Sequence, residues 1–261
     1  MNNFKNILIT GGLGGIGFNI CKYFFSKNFN LIIIDNLPIS KFNKVLSKNF
    51  ITNTKNNIFY KKVDLSQSFQ IKKMFKSLNQ IFSSIDILVN CAGIQHISPV
   101  ENYSEKMWEK VLSINLSSCF YTSKYVLPIM KKNKWGRIIN ICSVHGQVAS
   151  INKSAYVASK HGMIGLAKTI ALETATLPIT CNVICPGWVN TPLVSKQIDQ
   201  RVKINKSTRK KEEFNLLKEK HPNLSFIQGN DIAALIHFLC TDEAKDITGS
   251  SINIDGGWTS Q

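Results

Sequence analysis

The chain has 261 residues, 44% of them hydrophobic, and a formal charge of +16 at pH 7. That length suits one α/β domain with a substantial core, and the apolar content excludes disorder as the main state. No apolar run approaches the roughly 20 residues that cross a bilayer, and MNNFKNILIT runs straight into a strand pattern rather than a signal-peptide layout; a cytoplasmic protein without membrane association is expected.

The lysines are spread through nearly every polar segment, and the one dense stretch, Lys203 to Lys220, carries glutamates as well. No basic face is isolated and no base-stacking motif is present, so no nucleic-acid partner is expected. The excess of positive charge favours anionic ligands without identifying one. Seven cysteines lie mostly inside apolar runs, where a thiol behaves as a small hydrophobe. Cys181 and Cys185 flank a strand-like stretch with poor spacing for zinc. No metal is expected.

Phe4 to Thr10 reads as a short buried strand that runs into the glycine-rich GGLGGIG. Ile16 to Lys27 then has helical periodicity, and Asn30 to Ile34 is a second buried strand ending at Asp35. Strand, glycine turn, helix, strand and acid make a dinucleotide-binding unit. Its glycines let the backbone approach a pyrophosphate at a helix N-terminus. Two registers are open: Gly12, Gly14 and Gly17, or Thr10, Gly11, Gly15, Ile16 and Gly17. Asp35 can accept hydrogen bonds from a ribose diol and would repel a 2′-phosphate, while Asn36 brings no cation. NAD is the expected cofactor, not NADP.

Ile58 to Val63 reads as a third strand, ended by Asp64 and Leu65. Asp64 either meets an adenine amino group or caps a helix from Ser66 to Phe82. A fourth strand, Ile85 to Val89, leads into Asn90, Cys91, Ala92 and Gly93, whose small residues would let a flat ligand lie against the backbone. A long helical pattern spans Ser104 to Lys132 with Asn115 inside it. Asparagine is a poor helix former, so Asn115 either reaches solvent or has a specific task.

Arg137 to Cys142 is a fifth, β-branched strand that breaks off at Ser143, and a helix is expected from Ser154 to Thr176. Tyr156 and Lys160 are an i, i+4 pair within it and share a face. A phenol, an ammonium and the Ser143 hydroxyl held together form a proton-transfer site. The sixth strand, Ile179 to Ile184, ends in CPGWVNTPLV, where Pro186, Gly187 and Pro192 are expected to forbid regular structure. Residues 193 to 228 are helical in pattern and charged, as a mobile lid of about 190–228 would be. A helix from Asp231 to Cys240 and a last strand, Ser251 to Ile254, precede DGGWTSQ. The alternation implies a single doubly wound Rossmann-type domain with a parallel sheet of about seven strands.

Thr10-Gly11-x-x-x-Gly15-Ile16-Gly17, Asn90-Cys91-Ala92-Gly93, Asn115, Ser143, Tyr156-x-x-x-Lys160 and Pro186-Gly187 resemble the short-chain dehydrogenase/reductase family across essentially the whole chain. One departure is Cys91, where the family usually has a second asparagine, which alters local hydrogen bonding. The resemblance implies catalysis by Ser143, Tyr156, Lys160 and Asn115. It also implies a nicotinamide dinucleotide held by the glycine turn, Asp35, Asp64, Leu65, Asn90, Ala92, Gly93, Tyr156, Lys160, Pro186, Gly187, Val189 and Thr191. A homotetramer is implied too.

Further stretches, among them GIQHISPVE, WGRIINICSVHGQVAS, NKSAYVASKHG and DGGWT, resemble the branch of that family acting on the small anions 3-hydroxybutyrate and acetoacetate. By that resemblance Gln95, His145, Lys153 and Gln197 would grip the substrate carboxylate and Trp188 would wall its methyl end, with Ser143 and Tyr156 at the carbinol. Singly, each has a plainer reading: Lys153 and Gln197 as solvated loop residues, His145 as a loop cap. A 3-oxoacyl carrier-protein reductase would share the catalytic group. It would expect NADPH and a basic residue at the ribose, against Asp35.

Overall fold

A computed structural model describes residues 5–50 and 56–260; Phe4, where the first strand was expected to start, lies outside them. Seven strands form one sheet in the order β3-β2-β1-β4-β5-β6-β7. They are β1 Asn6–Thr10, β2 Asn30–Asp35, β3 Ile58–Lys62, β4 Ile87–Asn90, β5 Gly136–Ile141, β6 Ile179–Pro186 and β7 Ser251–Ile254. Every pairing is parallel. The central strands are buried on both faces, which is why they read as unbroken β-branched runs and not as alternating patterns.

The helices are α1 Gly15–Ser26, α2 Ile39–Asn49, α3 Ser68–Ile81, α4 Glu105–Leu112, α5 Ser118–Asn133, α6 Ser154–Glu173, α7 Pro192–Asn205, α8 Arg209–Lys220 and α9 Gly229–Leu239. On one face Met74, Leu78, Val126, Met130, Met163 and Ile170 from α3, α5 and α6 pack against the sheet. On the other, Ile20, Phe24, Phe42, Ile232 and Ile236 from α1, α2 and α9 do so. Helix α6 buries Ala155, Ser159, Met163, Ala167 and Ala171, a four-residue spacing that turns one stripe to the core. Helices α7 and α8 stand apart around a small cluster of Val194, Ile198 and Leu216, joined by Trp188 and Phe226. The four ion pairs among the described residues all join or lie within α7 and α8. No helix among the described residues is long and apolar enough to cross a membrane.

Three expectations need correction, one helix was missed and one open alternative closes. Helix α2 was not anticipated. Strand β6 runs on through Pro186, because a proline at the last strand position removes only a terminal ladder donor. Pro192 opens α7 at its first turn, with the Thr191 hydroxyl accepting from the Val194 N–H at 3.4 Å; the ring's fixed φ suits that position. The helical pattern from 193 to 228 stops at Lys220, and Leu224 adopts φ 51°. Asp64 does not cap α3, whose N-cap is Gln67; its carboxylate folds back onto the Ser66 N–H at 2.9 Å and hydroxyl at 2.7 Å.

Candidate active site

Strand order reverses between β2-β1 and β4-β5, and at such a switch point the loops leaving the strand ends diverge into a crevice. A cavity of about 400 Å³ lies there. Gly11, Gly14, Gly15, Ile16, Gly17, Asp35, Asp64, Leu65, Ala92, Gly93 and Thr191 line it, together with Leu13, Asn36, Leu37, Val63, Cys91, Ile94, Ile114 and Pro192. Two glycines decide the register of the turn. Gly11 has φ 65°, and a Cβ there would fall 2.8 Å from the Ala92 Cα. A Cβ on Gly15 would lie 2.8 Å from the Thr191 Cβ, while Gly17 belongs to both registers. Gly14 is less confined, its nearest neighbour at 3.2 Å, so the register Thr10, Gly11, Gly15, Gly17 carries the turn. This cradle, with the first turn of α1 opening onto it, fits a dinucleotide.

Asp35 is buried at the end of β2, its Oδ2 accepting from the Leu13 N–H at 3.0 Å and its Oδ1 from the Leu37 N–H at 3.3 Å. Among the described residues the cavity lining holds Asp35 and Asp64 but no lysine or arginine, in a chain with 32 such residues. Seven expected cofactor residues are not part of the lining: Tyr156 and Lys160, on α6, and five others. Thr10 is buried and its hydroxyl accepts from the N–H groups of Cys91 and Ala92 at 3.0 and 3.2 Å, tying β1 to the loop after β4. Asn90 donates to the Asn140 Oδ1 and accepts from the Thr122 hydroxyl, both at 2.8 Å. Pro186 ends β6, and Gly187 and buried Val189 follow it.

Ser113–Ser117, between α4 and α5, is a π-helical turn with Asn115 in its middle. One-turn π bulges recur at functional sites because the extra residue re-aims side chains. Asn115 is fully buried: its Oδ1 accepts from the Ile94 N–H at 2.9 Å, and its Nδ2 donates to the Ile94 carbonyl at 2.9 Å and the Ser159 hydroxyl at 3.1 Å. It therefore clamps the loop bearing Gly93 to Gln95 onto α6. A Cβ placed on Gly93 would lie 3.5 Å from the Asn115 Oδ1 and 3.9 Å from the Lys160 Nζ, so the amide and ammonium border one spot.

Lys160 is buried, donates to the Ile141 carbonyl at 2.8 Å, and lies 5.6 Å from the centre of the Tyr156 ring. Burial alone would pull its ammonium pKa down, but the ionisable groups of Tyr156, Cys142, Cys119 and Cys91 outweigh this and raise it. Burial pushes the Cys91 thiol up to about 12, leaving a neutral group where the family has an amide. Ser143 leaves β5 in an extended conformation; its hydroxyl accepts from the His145 N–H at 3.2 Å and meets the His145 Nδ1 at 3.2 Å. The other ring nitrogen lies 2.8 Å from the Ser150 hydroxyl. His145 has its pKa lowered to about 4, first by burial and then by Lys153 and Lys220, so it is neutral near pH 7.

Rings continue outward from the phenol: Tyr156 to His145 at 5.8 Å, His145 to Trp258 at 5.6 Å, and Trp258 to Trp188 at 5.8 Å between centres. The Lys153 Nζ stands 5.7 Å from the centre of the Trp188 ring, its pKa lowered by burial. Gln95 follows the clamped Ile94, and Ser98 donates to the Asn152 carbonyl at 2.9 Å, so its loop runs beside Lys153. The Gln95 Nε2 is buried with no hydrogen-bond partner among the described residues, and so is the Trp188 Nε1. Gln197 is half-buried on α7, and no hydrogen bond among the described residues ties it to this group. Sequence reasoning missed Ser159, which bonds Asn115, and the roles of Trp258 and His221. No cluster of three or more potential metal ligands occurs among the described residues.

A model of the short chain dehydrogenase family matches residues 5–202. The chain belongs to this family. It is 39% identical to a D-beta-hydroxybutyrate dehydrogenase of Cupriavidus necator, over 100% of both chains. It is also 34% identical to a 3-oxoacyl-[acyl-carrier-protein] reductase of Buchnera aphidicola, covering 97% of this chain and 96% of that one. Among solved structures, a 4-hydroxyisoleucine dehydrogenase complexed with NADH is 34% identical, covers 98% of this chain with 99% of its own, and superposes with a TM-score of 0.87. The chain is thus an oxidoreductase of the short-chain dehydrogenase class with a site for a nicotinamide cofactor.

Proposed function

We propose that the protein catalyses the reversible NAD-dependent oxidation of D-3-hydroxybutyrate to acetoacetate. The observation that carries this reading is the Gln95 amide, buried with an unpartnered Nε2 on a loop beside the half-buried Lys153. A buried donor without a partner costs about 1–3 kcal/mol, and a carboxylate would satisfy it while neutralising the adjacent ammonium. Gln197 joins the grip from α7, and the Trp188 indole walls the short methyl end. A long acyl thioester has no anion for these groups to hold.

Bound in the cavity, the nicotinamide supplies the hydride acceptor. The Tyr156 oxygen takes the hydroxyl proton beside the Lys160 ammonium, which stands 5.6 Å from the centre of the ring. Neutral His145, donating from Nδ1 to the Ser143 oxygen, leaves the serine proton free for the substrate oxygen. Asn115 borders the Lys160 ammonium, and a water held between them would relay the proton onward, as the family resemblance implies. The acids in the cofactor cavity and the absence of a lining cation support NAD over NADP. The relatives' names support a small hydroxy acid.

The test is reduction of NAD, and separately of NADP, with each enantiomer of 3-hydroxybutyrate. The D enantiomer with NAD should dominate; activity only with NADPH and an acyl thioester would refute the proposal.

A further inference from the structure

His221 is a fully buried imidazole that no step above uses. Its Nε2 accepts from the Trp188 backbone N–H at 2.8 Å, and its Nδ1 lies 2.8 Å from the Ser225 carbonyl oxygen. A carbonyl only accepts, so Nδ1 carries the proton and Nε2 presents its lone pair. One tautomer therefore satisfies both ends of the ring. The main chain of His221 is fixed too: its N–H closes the end of α8 on the Leu217 carbonyl at 2.6 Å, and its own carbonyl accepts from Leu224 at 2.9 Å.

The ring also packs edge-on against Trp258, 5.8 Å between centres, and Trp258 in turn meets both Trp188 and His145. It passes directly beneath Gly187, where a Cβ would lie 2.3 Å from the Nε2. The segment after His221 holds the next backbone groups, with Ile227 donating to the Trp188 carbonyl and Asn190 donating to Ile227, both at 2.9 Å. Among the described residues, the main-chain links between the end of α8 and the Trp188 turn pass through this ring or the bridge at Ile227, beside the packing of Trp188 onto the Leu216 cluster.

We propose that His221 is a positioning residue that couples α7 and α8 to the substrate wall. With Nε2 holding the Trp188 N–H, the indole stays against Lys153 and Trp258. The position of α8 thereby fixes where the wall stands, and with it the depth of the pocket for a short acid. This rests on Trp188 being the wall of the substrate site. The protonated Nδ1 and the lone pair of Nε2 are the features required, and a glutamine offers the same donor and acceptor.

The test compares His221→Leu with His221→Gln in the full-length protein. For His221→Leu the KM for D-3-hydroxybutyrate should rise at least about tenfold, with kcat changed less than about threefold and the KM for NAD unchanged. His221→Gln should restore most of the KM. Equal effects of the two variants, or parallel loss of kcat and NAD binding in His221→Leu, would overturn the coupling. Should His221→Leu not fold, amide exchange of the wild-type protein reads the same link. The Trp188 N–H should exchange with the opening of α8, and exchange at the slower rate of β6 would overturn it. That exchange needs no substrate, so inactivity toward 3-hydroxybutyrate sinks the proposed function without deciding this proposal.

Discussion

Replacing Asp35 with asparagine removes one charge and little volume at the ribose end of the cofactor cavity. A 2′-phosphate about 4 Å from the carboxylate meets about 4 kcal/mol of repulsion per unit charge at an effective dielectric of about 20. The cavity lining carries no lysine or arginine to offset this, and Asp64 adds a second acid. At about 1.4 kcal/mol per decade, the native chain should favour NAD over NADP by about a thousandfold in kcat/KM. Asparagine keeps an amide oxygen for the Leu13 N–H, which Asp35 now holds at 3.0 Å, and gives up the longer bond from the Leu37 N–H at 3.3 Å, so the turn should survive. The lost charge-assisted bonds to the diol should cost NAD about tenfold. The preference should fall to within about tenfold of parity in Asp35→Asn, read from kcat/KM with each cofactor at fixed substrate. A native enzyme indifferent to the 2′-phosphate, or a variant with an unchanged ratio, would refute this reasoning.

Two further perturbations probe the pocket. Lys153→Ala should raise the KM for 3-hydroxybutyrate about tenfold to a hundredfold, the worth of one hydrogen bond to a charged group, while a neutral secondary alcohol such as 2-butanol should be affected little. Stability should also depend on His145, whose pKa falls from an ordinary 6.5 to about 4 chiefly through burial. The unfolded chain then binds more protons between those values, so the stabilisation is complete above pH 6.5 and is lost as pH falls toward 4. The whole effect is about 3 kcal/mol, and a thermal melting series should show a flatter acid limb in His145→Gln.

The strand cores, the glycine turn and the Tyr156–Lys160 pair were legible because each depends on local order: β-branched runs, close glycines, and an i, i+4 spacing. Asp35 was legible from its place at the end of a strand. Helix α2 was overlooked although its buried Phe42 and neighbouring Val45 and Leu46 lie at helical spacing. The π turn at Asn115 left no trace, since one inserted residue does not disturb an apolar pattern long enough to notice. Pro186 and Pro192 were read as breakers of structure, whereas position within an element decides whether a proline disrupts it. Asp64 was left between two roles that only the position of the Gln67 cap could separate. His221 was invisible for another reason: its partner, Trp188, lies 33 residues away. The same holds for Thr10 and Asn90, motif residues whose side chains brace neighbouring strands and do not line the cavity.

The account depends most on the Tyr156 oxygen as the group that takes the substrate proton. The most direct measurement is D-3-hydroxybutyrate-dependent formation of NADH by Tyr156→Phe, with NADH binding followed in parallel by fluorescence. Loss of one positioned general base costs about 10²–10⁴ in rate, so turnover should fall by at least a hundredfold while NADH affinity stays within a few-fold of the native value. Turnover that persists near the native rate in this variant would contradict the account.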